Sequence, residues 1–366
     1  MRRTVFLLLI AGLGAASAAA RISLEEGGAW IGARRWDLGA KPAETIGGLW
    51  GDVRLGPRLT SHMEVSSARI ASDGVVLGPG EGVTGAALLR YEPDQEGYLL
   101  QVGIGLPTGG SGLTAEELSL ARLVGEPVLS AADPDRVRGW RLHLGAMGGY
   151  PVTRRHSLFG GLGYEAATAF EPAGGTERDP SNRVIGLLGI EDPTPGRSWG
   201  ADVGIALEGK EKGDGDVIRR ARTLVSGRLR GRFDLGGLAV GLSAATRTGT
   251  EIEWLSAAQV ASLESSGPGR QHDLSLSVAA RHPPRRWQPV LTWAYRRYQP
   301  AGLPQGDGWL AEVGPSLTWV RGPRVEMAVT LAWRWGRWRP WVRDGYAAPI
   351  AIDGLRLHVE LNYRAR

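Results

Sequence analysis

The feature that most constrains this chain is an alternation of apolar and polar residues with a period of two. In 197–209, RSWGADVGIALEG, every second residue from Trp199 to Leu207 is apolar, and 354–366, GLRLHVELNYRAR, repeats the pattern from Leu355 to Tyr363. Successive side chains of a β-strand point to opposite faces, so each segment predicts a strand with one apolar face. That face covers nine residues in both segments, about the length at which a tilted strand crosses a membrane.

The same alternation recurs along the whole chain and predicts sixteen strands. Segments 85–92 and 182–191 are short, and Pro289 and Pro315 each remove a ladder donor from a predicted strand. A count of fourteen, with one weak pair forming a loop hairpin, is therefore the alternative. The other fourteen predicted strands are 28–37, 47–56, 59–70, 97–107, 140–150, 156–168, 197–209, 222–234, 237–249, 272–282, 287–298, 309–319, 325–335 and 354–366.

The connections between these segments alternate in length. Short ones, such as GPR and DLGG, follow the even-numbered strands, and mostly longer polar ones follow the odd-numbered strands. Short periplasmic turns and longer external loops are typical of transmembrane β-barrels of the bacterial outer membrane. The pattern predicts an all-β, antiparallel up-and-down barrel with both chain ends on the periplasmic side.

The N-terminus has the features of a secretory signal. Arg2 and Arg3 precede the apolar run Val5–Leu13, and Ala18–Ala20 form an A-x-A cleavage site. We expect residues 1–20 to be removed and 21–366 to form one barrel domain in the outer membrane. Downstream there is no run of 18 apolar residues, and the absence of cysteine leaves no disulfide to stabilise the exported chain.

Aromatic residues on the apolar face fall into two bands, which match the interfacial girdles of a membrane barrel. Trp338 and Trp341 are placed beyond the strand 325–335, in the last external loop. The band beside the short turns consists of Tyr91, Tyr98, Tyr150, Trp199, Phe233, Trp287, Trp319 and Tyr363. The band near the external ends consists of Trp140, Tyr164, Trp293, Tyr295, Trp309, Trp333 and Trp335.

The opposite face mixes glycine, serine, alanine and threonine with charged residues, as a wet lumen requires. A soluble all-β protein, whose apolar face is its core, is the competing interpretation. Arg228, Arg230 and Arg232 lie at every second position and stack as an arginine ladder on this face. The other inward charges are Arg183, Arg247, Arg281, Arg296, Arg334, Arg356, Asp202, Glu208, Glu312, Glu326 and Glu360. They either set ion selectivity or form paired charges that fill and stiffen the lumen.

Taken together, these strands, turns and girdles resemble bacterial outer-membrane β-barrels of the porin-like transport class. In sixteen-stranded members the third external loop folds into the channel, and the corresponding loop here is 107–137. Within it LTAEELSLARLV (113–124) reads as a short amphipathic helix, with Thr114 as N-cap. The resemblance implies that Glu116 and Glu117 oppose the lumen arginines as a constriction. It also implies outer-membrane lipid and the barrel-assembly machinery as partners.

No catalytic or cofactor motif stands out. His156 and Ser157 are adjacent but point to opposite faces of a strand beside a short turn, and no metal-ligand spacing is present. The sequence predicts neither an enzyme, a bound metal or cofactor, nor a nucleic-acid partner. We expect a channel or transporter for small solutes. The sequence leaves the oligomeric state open. The alternatives are a non-transporting barrel that serves as an envelope anchor, adhesion or assembly protein, and, more remotely, a lipid-modifying enzyme.

Overall fold

The computed structural model describes residues 23–365, apart from 38–40, 73, 78–83, 94–96, 107–113, 115–138, 174–175, 220, 250–268, 281–285, 301–305, 343–344 and 347. The predicted signal segment, Glu116, Glu117 and Arg281 thus lie outside the described residues. No helix among the described residues is both long and apolar enough to cross a membrane.

Sixteen antiparallel strands form one closed sheet. Each pairs with the barrel strand that follows it in sequence, and the first pairs with the last, from Glu26 opposite Arg364 to Asp37 opposite Asp353. The predicted all-β up-and-down barrel and the count of sixteen are confirmed, and the count of fourteen is wrong. The barrel strands are β1 (Ser23–Asp37), β2 (Ala43–Gly56), β3 (Leu59–Ser72), β5 (Thr84–Tyr91), β6 (Tyr98–Gly105), β7 (Arg141–Pro151), β8 (Ser157–Ala167), β11 (Arg183–Asp192), β12 (Arg197–Glu208), β15 (Arg222–Leu235), β16 (Leu238–Gly249), β17 (Arg270–Ala280), β18 (Trp287–Gln299), β19 (Asp307–Arg321), β20 (Val325–Arg339) and β23 (Ile350–Arg364).

Within the described parts of the longer connections, seven short strands lie at the end that we take as external. A four-stranded sheet joins two of these connections, and inside it Arg178 forms a buried ion pair with Glu211. Because this sheet is built from loops, it widens the external side without changing the barrel. The short strands are β4 (Val75–Leu77), β9 (Phe170–Ala173), β10 (Thr176–Asp179), β13 (Glu211–Gly213), β14 (Asp216–Arg219), β21 (Trp341–Val342) and β22 (Gly345–Tyr346).

The apolar face of the strands points away from the barrel axis. Large aliphatic side chains such as Leu49, Leu162 and Leu188 are more than 60% exposed on this outer wall. A soluble barrel would bury this face in its interior, and a continuous apolar outer wall instead fits contact with lipid. The soluble interpretation is therefore wrong for this chain.

The predicted girdle residues share this outer face. Near the short turns Trp287 and Trp319 contact each other with ring centroids 6.3 Å apart. Near the external ends Tyr295 stacks between Trp293 and Trp309, and Trp333 contacts Trp335. The remaining members that are strongly exposed on the outer face are Tyr91, Tyr98, Trp140, Tyr150, Tyr164 and Tyr363.

The strand predicted over 325–335 continues four residues further. β20 runs to Arg339 and pairs with both neighbours up to Trp338, which is buried on the inner face. Placing Trp338 in the external loop was therefore wrong, because the alternation of side chains continues past the lipid-facing aromatics. Only Trp341 lies beyond the strand, in β21.

The two prolines are accommodated without a change of register. Pro289 pairs with Leu317, and Pro315 pairs with Leu291. On its other side the β19–β20 pairing is interrupted between Val313 and Ser316 and resumes in the same register. The missing proline donor therefore costs a local gap in one ladder, and the strand continues.

Candidate functional site

The arginine ladder lies on the inner face of β15. Arg228 donates from Nε to Oδ2 of Asp202 at 2.9 Å, and Arg230 lies 3.4 Å from Oε2 of Glu191. Both guanidinium side chains are 49% exposed within the barrel. Arg232 is also exposed and forms no ion pair with any described residue. The ladder therefore presents solvated positive charge to the lumen.

A second charged group, the buried charge cluster, lies across the lumen wall on β1, β2, β19, β20 and β23. Glu312 accepts from Nε of Arg334 and contacts Nη2 of Arg356, each at 2.6 Å. Arg34 contacts Glu44 at 3.4 Å and faces Arg356 in the β1–β23 ladder. Three guanidiniums and two carboxylates leave a formal excess of one positive charge.

The centre of this cluster is buried. The side chain of Arg334 is 2% exposed and that of Glu312 is 12% exposed. Nη1 of Arg334 and Nε of Arg356 are buried without a hydrogen-bond partner among the described residues. Buried guanidinium donors without partners are costly, so this region holds charge at the expense of stability.

Small residues form the wall between the ladder and the cluster. Along one row of paired residues, Arg230 is followed by Ser243, Ser275, Ala294 and Glu312. These three small side chains form the floor of a recess of about 340 Å³ that the cluster borders on its far side. Because short side chains leave space beside long charged ones, the wall forms a groove with positive charge at both edges.

Half of the other predicted lumen charges in the described residues are paired with neighbours on adjacent strands. Arg296 donates to Asp273 at 2.6 Å, and Glu208 forms an ion pair with Arg222, a residue that sequence reasoning did not select. Arg183 pairs with Glu165. Arg247 and Glu326 have no ion pair with described residues, and Glu360 contacts Asn362 and His358.

An inward aromatic group on β1 and β2 was missed at the level of sequence. The rings of Trp30 and Trp50 lie over glycines of the facing strand. A Cβ atom on Gly48 would come within 2.8 Å of the Trp30 ring, and a Cβ atom on Gly28 within 2.5 Å of the Trp50 ring. They line a recess of about 370 Å³ together with Arg34, Arg356 and His358. The alternation of side chains could have identified them, since Trp30 is next to the lipid-facing Ile31 and Trp50 is next to the lipid-facing Leu49.

The external end of the lumen carries a packed apolar group, which we call the inner collar. All of its members lie on the inner face near the external ends of their strands. None was selected from the sequence, since attention went to the aromatics of the lipid face. They are Trp36, Ile70, Tyr298, Trp338 and Ile352, each at most 8% exposed.

The described histidines contact polar side chains of the lumen wall and of one short turn. Nε2 of His143 accepts a hydrogen bond from Nε2 of Gln101 at 2.7 Å, and its Nδ1 lies 3.4 Å from Glu165. His156 contacts Thr153 in a short turn. No group of three or more His, Asp and Glu side chains in the described ranges is arranged to hold a metal ion. The charged groove is therefore the candidate site that the geometry favours.

Comparison with known proteins gives structural likeness only. No protein-family model matches the chain, and no curated protein matches it by sequence. Similar solved structures include OccK5 (OpdH) of Pseudomonas aeruginosa (11% identity, 94% of this chain and 98% of that one, TM-score 0.48), the outer membrane protein OpdK of the same species (11%, 93% and 98%, 0.46) and a bacterial polysaccharide outer membrane secretin (10%, 93% and 98%, 0.47). The chain's own strand pairing carries the assignment: it is a closed, sixteen-stranded antiparallel β-barrel.

Proposed function

We propose that the protein is an outer-membrane channel for small solutes whose arginine-rich lumen favours anions. The observation that carries the proposal is the half-exposed arginine ladder beside a groove floored by Ser243, Ser275 and Ala294. Guanidiniums that keep half of their surface open can contact a passing solute while they remain solvated.

The charge balance of the inner wall supports the preference for anions. Near the ladder, four arginines (228, 230, 232 and 247) face three acids, Asp202 and Glu191, which pair with two of them, and Asp234 on the same strand, which leaves a formal excess of one positive charge. The buried charge cluster adds one more. Fixed positive charge along a narrow wet path raises the local concentration of anions.

The test is ion selectivity in planar lipid bilayers. A monovalent ion about 4 Å from a unit charge in water gains or loses about 1 kcal/mol. We therefore expect Arg228→Glu with Arg230→Glu to shift the anion-to-cation permeability ratio toward cations by at least about fivefold. Arg321→Glu is the matched control, because Arg321 lies on the outer face at the end of β19. Equal shifts in both variants would contradict a selective role for the ladder.

One observation favours a second function, that of a non-conducting envelope anchor or assembly protein. The inner collar adds buried apolar bulk at the external end of the inner wall, and a lumen closed there would pass nothing. Protein that migrates as a folded, heat-modifiable barrel but gives no conductance steps would support this alternative. Discrete conductance steps of the unmodified protein would contradict it.

The setting of the protein follows from the same proposal. Its aliphatic outer wall and two aromatic bands fit outer-membrane lipid, and the short turns would face the periplasm. We propose that the chain is exported after loss of residues 1–20 and inserted by the barrel-assembly machinery. We propose no catalytic activity, and the constriction by Glu116 and Glu117 stays a prediction.

A further inference from the structure

The outer face carries a group of cations at the external ends of its strands, which we call the basic outer rim. Four of them share the same position: each lies on the outer face, four residues closer to the external end of its strand than an exposed apolar residue. Arg35 follows Ile31, Arg69 follows Val65 and Arg337 follows Trp333, while on β17 Arg270 precedes Leu274. The fifth is Lys41, which is exposed in the connection between β1 and β2.

None of the five has an ion-pair partner among the described residues. This separates them from the lumen arginines, most of which pair with an acid on a neighbouring strand. Two further rim arginines do have interactions: Arg297 pairs with Asp307 at 3.0 Å, and Arg339 is engaged elsewhere. The rim therefore has more outward positive charge than the protein itself neutralises.

The rim covers only part of the circumference. Its five members lie on β17, β20, β1 and β3 and on the β1–β2 connection, all within one contiguous arc of the closed sheet that runs from β17 to β3. At the external ends of β5–β16, the outward positions of the described barrel residues are apolar or uncharged, as at Ile104, Trp140 and Leu207. One side of the barrel is therefore specialised.

Aromatic residues lie directly below Arg337 and below the ion-paired Arg297. Row by row toward the external side, Trp333 is followed by Trp335 and then Arg337, and on β18 the order is Trp293, Tyr295 and Arg297. Rows of the same face are about 7 Å apart, since a strand rises about 3.4 Å per residue. Aliphatic, aromatic and then cationic layers match the order of hydrocarbon, interface and headgroup phosphate in a leaflet.

A recess of about 560 Å³ lies where the rim meets the aromatic layer. Arg35 and Lys41 supply charge to its wall, and Trp333 and Leu355 supply apolar surface. Its floor is tight at Gly354, where a Cβ atom would lie 2.3 Å from the carbonyl oxygen of Arg35. The site thus combines cations with apolar contact at the level where a lipid headgroup meets its acyl chains.

Two acids also line the recess and bear on its charge. Asp353 accepts a hydrogen bond from Nε1 of Trp333, and Asp37 has an interaction of its own. They balance Arg35 and Lys41 one for one, so the surplus comes from the flanking Arg69 and Arg337. An anionic ligand that spans the recess and its flanks is favoured over a small ion that sits in the recess alone.

We propose that the recess and the basic outer rim bind a phosphorylated glycolipid of the outer leaflet. Its phosphates would contact Arg35 and Lys41, with Arg69 and Arg337 on either side, and its acyl chains would lie against Trp333 and Leu355. This proposal does not depend on transport through the lumen, because the residues that would contact the ligand lie on the outer wall or its rim.

The test uses the full-length folded barrel in detergent and purified rough-type lipopolysaccharide as the probe, with bound glycolipid counted by native mass spectrometry. The recess variant is Arg35→Ala with Lys41→Ala. Each cation near an anionic membrane surface contributes about 1 kcal/mol, so binding should weaken about 30-fold. The matched control is Arg321→Ala with Arg324→Ala, which removes two exposed arginines at the opposite end of the barrel.

The source of the phosphate is tested in the same assay. Glycolipid whose phosphates have been removed enzymatically should bind weakly to the unmodified protein. Its affinity should equal that of intact glycolipid for the recess variant. Millimolar inorganic phosphate should not displace the bound glycolipid. Three results would overturn the proposal. The first is unchanged glycolipid binding by a recess variant that still shows heat-modifiable migration, and the second is an equal loss of glycolipid affinity in the control variant. The third is displacement of the glycolipid by inorganic phosphate, which would indicate a site for free anions.

Discussion

The arginine ladder and the buried charge cluster use the same chemistry on the same inner wall, yet they differ in solvation. Arg228 and Arg230 are half exposed beside their acids, whereas Arg334 is 2% exposed beside Glu312. An exposed ion pair contributes about 0–1 kcal/mol, because water screens it and competes for both partners. A buried pair has lost its hydration, and removing one partner leaves a charge that nothing solvates. The ladder is therefore free to act on solutes, while the cluster is committed to structure.

The largest expected effect is at Glu312. Glu312→Ala would leave the buried Arg334 and the neighbouring Arg356 without their shared acceptor. We expect the free energy of unfolding to fall by about 3–5 kcal/mol, because an uncompensated buried charge remains. Urea unfolding in lipid vesicles, followed by tryptophan fluorescence, would measure this loss. A change below about 1 kcal/mol would mean that water reaches Arg334 and that the two regions do not differ in solvation.

A double replacement sharpens the comparison. Glu312→Leu with Arg334→Met removes both charges and keeps apolar bulk at the two sites. Buried ion pairs replaced in this way are often neutral or more stable by about 1–4 kcal/mol. We expect the double variant to recover most of the stability that Glu312→Ala loses, because no buried Arg334 remains without an acceptor, while Arg356 still lacks the carboxylate it shared. If the double variant were as unstable as Glu312→Ala, the pair itself, and not the stranded charge, would hold the wall together.

The sequence was sufficient to predict which side of each strand these residues occupy. A period of two assigns every residue of a long strand to one face, so the inward position of Arg228 and of Arg334 followed from Leu229 and Trp333 beside them. The same rule correctly grouped the outer aromatics and separated sixteen strands, because lipid contact demands an unbroken apolar face.

Solvation could not be predicted in this way. The ladder and the cluster read alike in sequence, as arginines alternating with apolar residues. Their difference arises from neighbours on other strands. Ser243 lies beside Arg230. Arg334 lies between Glu312 on one side and the close-packed Gly354 on the other. Register between strands decides such contacts, and alternation within a single strand contains no information about it. The inner collar was missed for a related reason, since an inward tryptophan such as Trp338 is recognised only once the strand's true end is known.

The smallest expected effect is at the ladder. Asp202→Ala removes the acceptor of Arg228, whose guanidinium stays half exposed to water. We expect the free energy of unfolding to change by less than about 1 kcal/mol, because the remaining cation is solvated. The lumen nevertheless gains one net positive charge, so the anion-to-cation permeability ratio measured in planar bilayers should rise. The variant Arg228→Glu with Arg230→Glu should lower the same ratio. A stability loss as large as that of Glu312→Ala would show that the ladder too is structural, and its exposed guanidiniums would no longer argue for a path through the barrel.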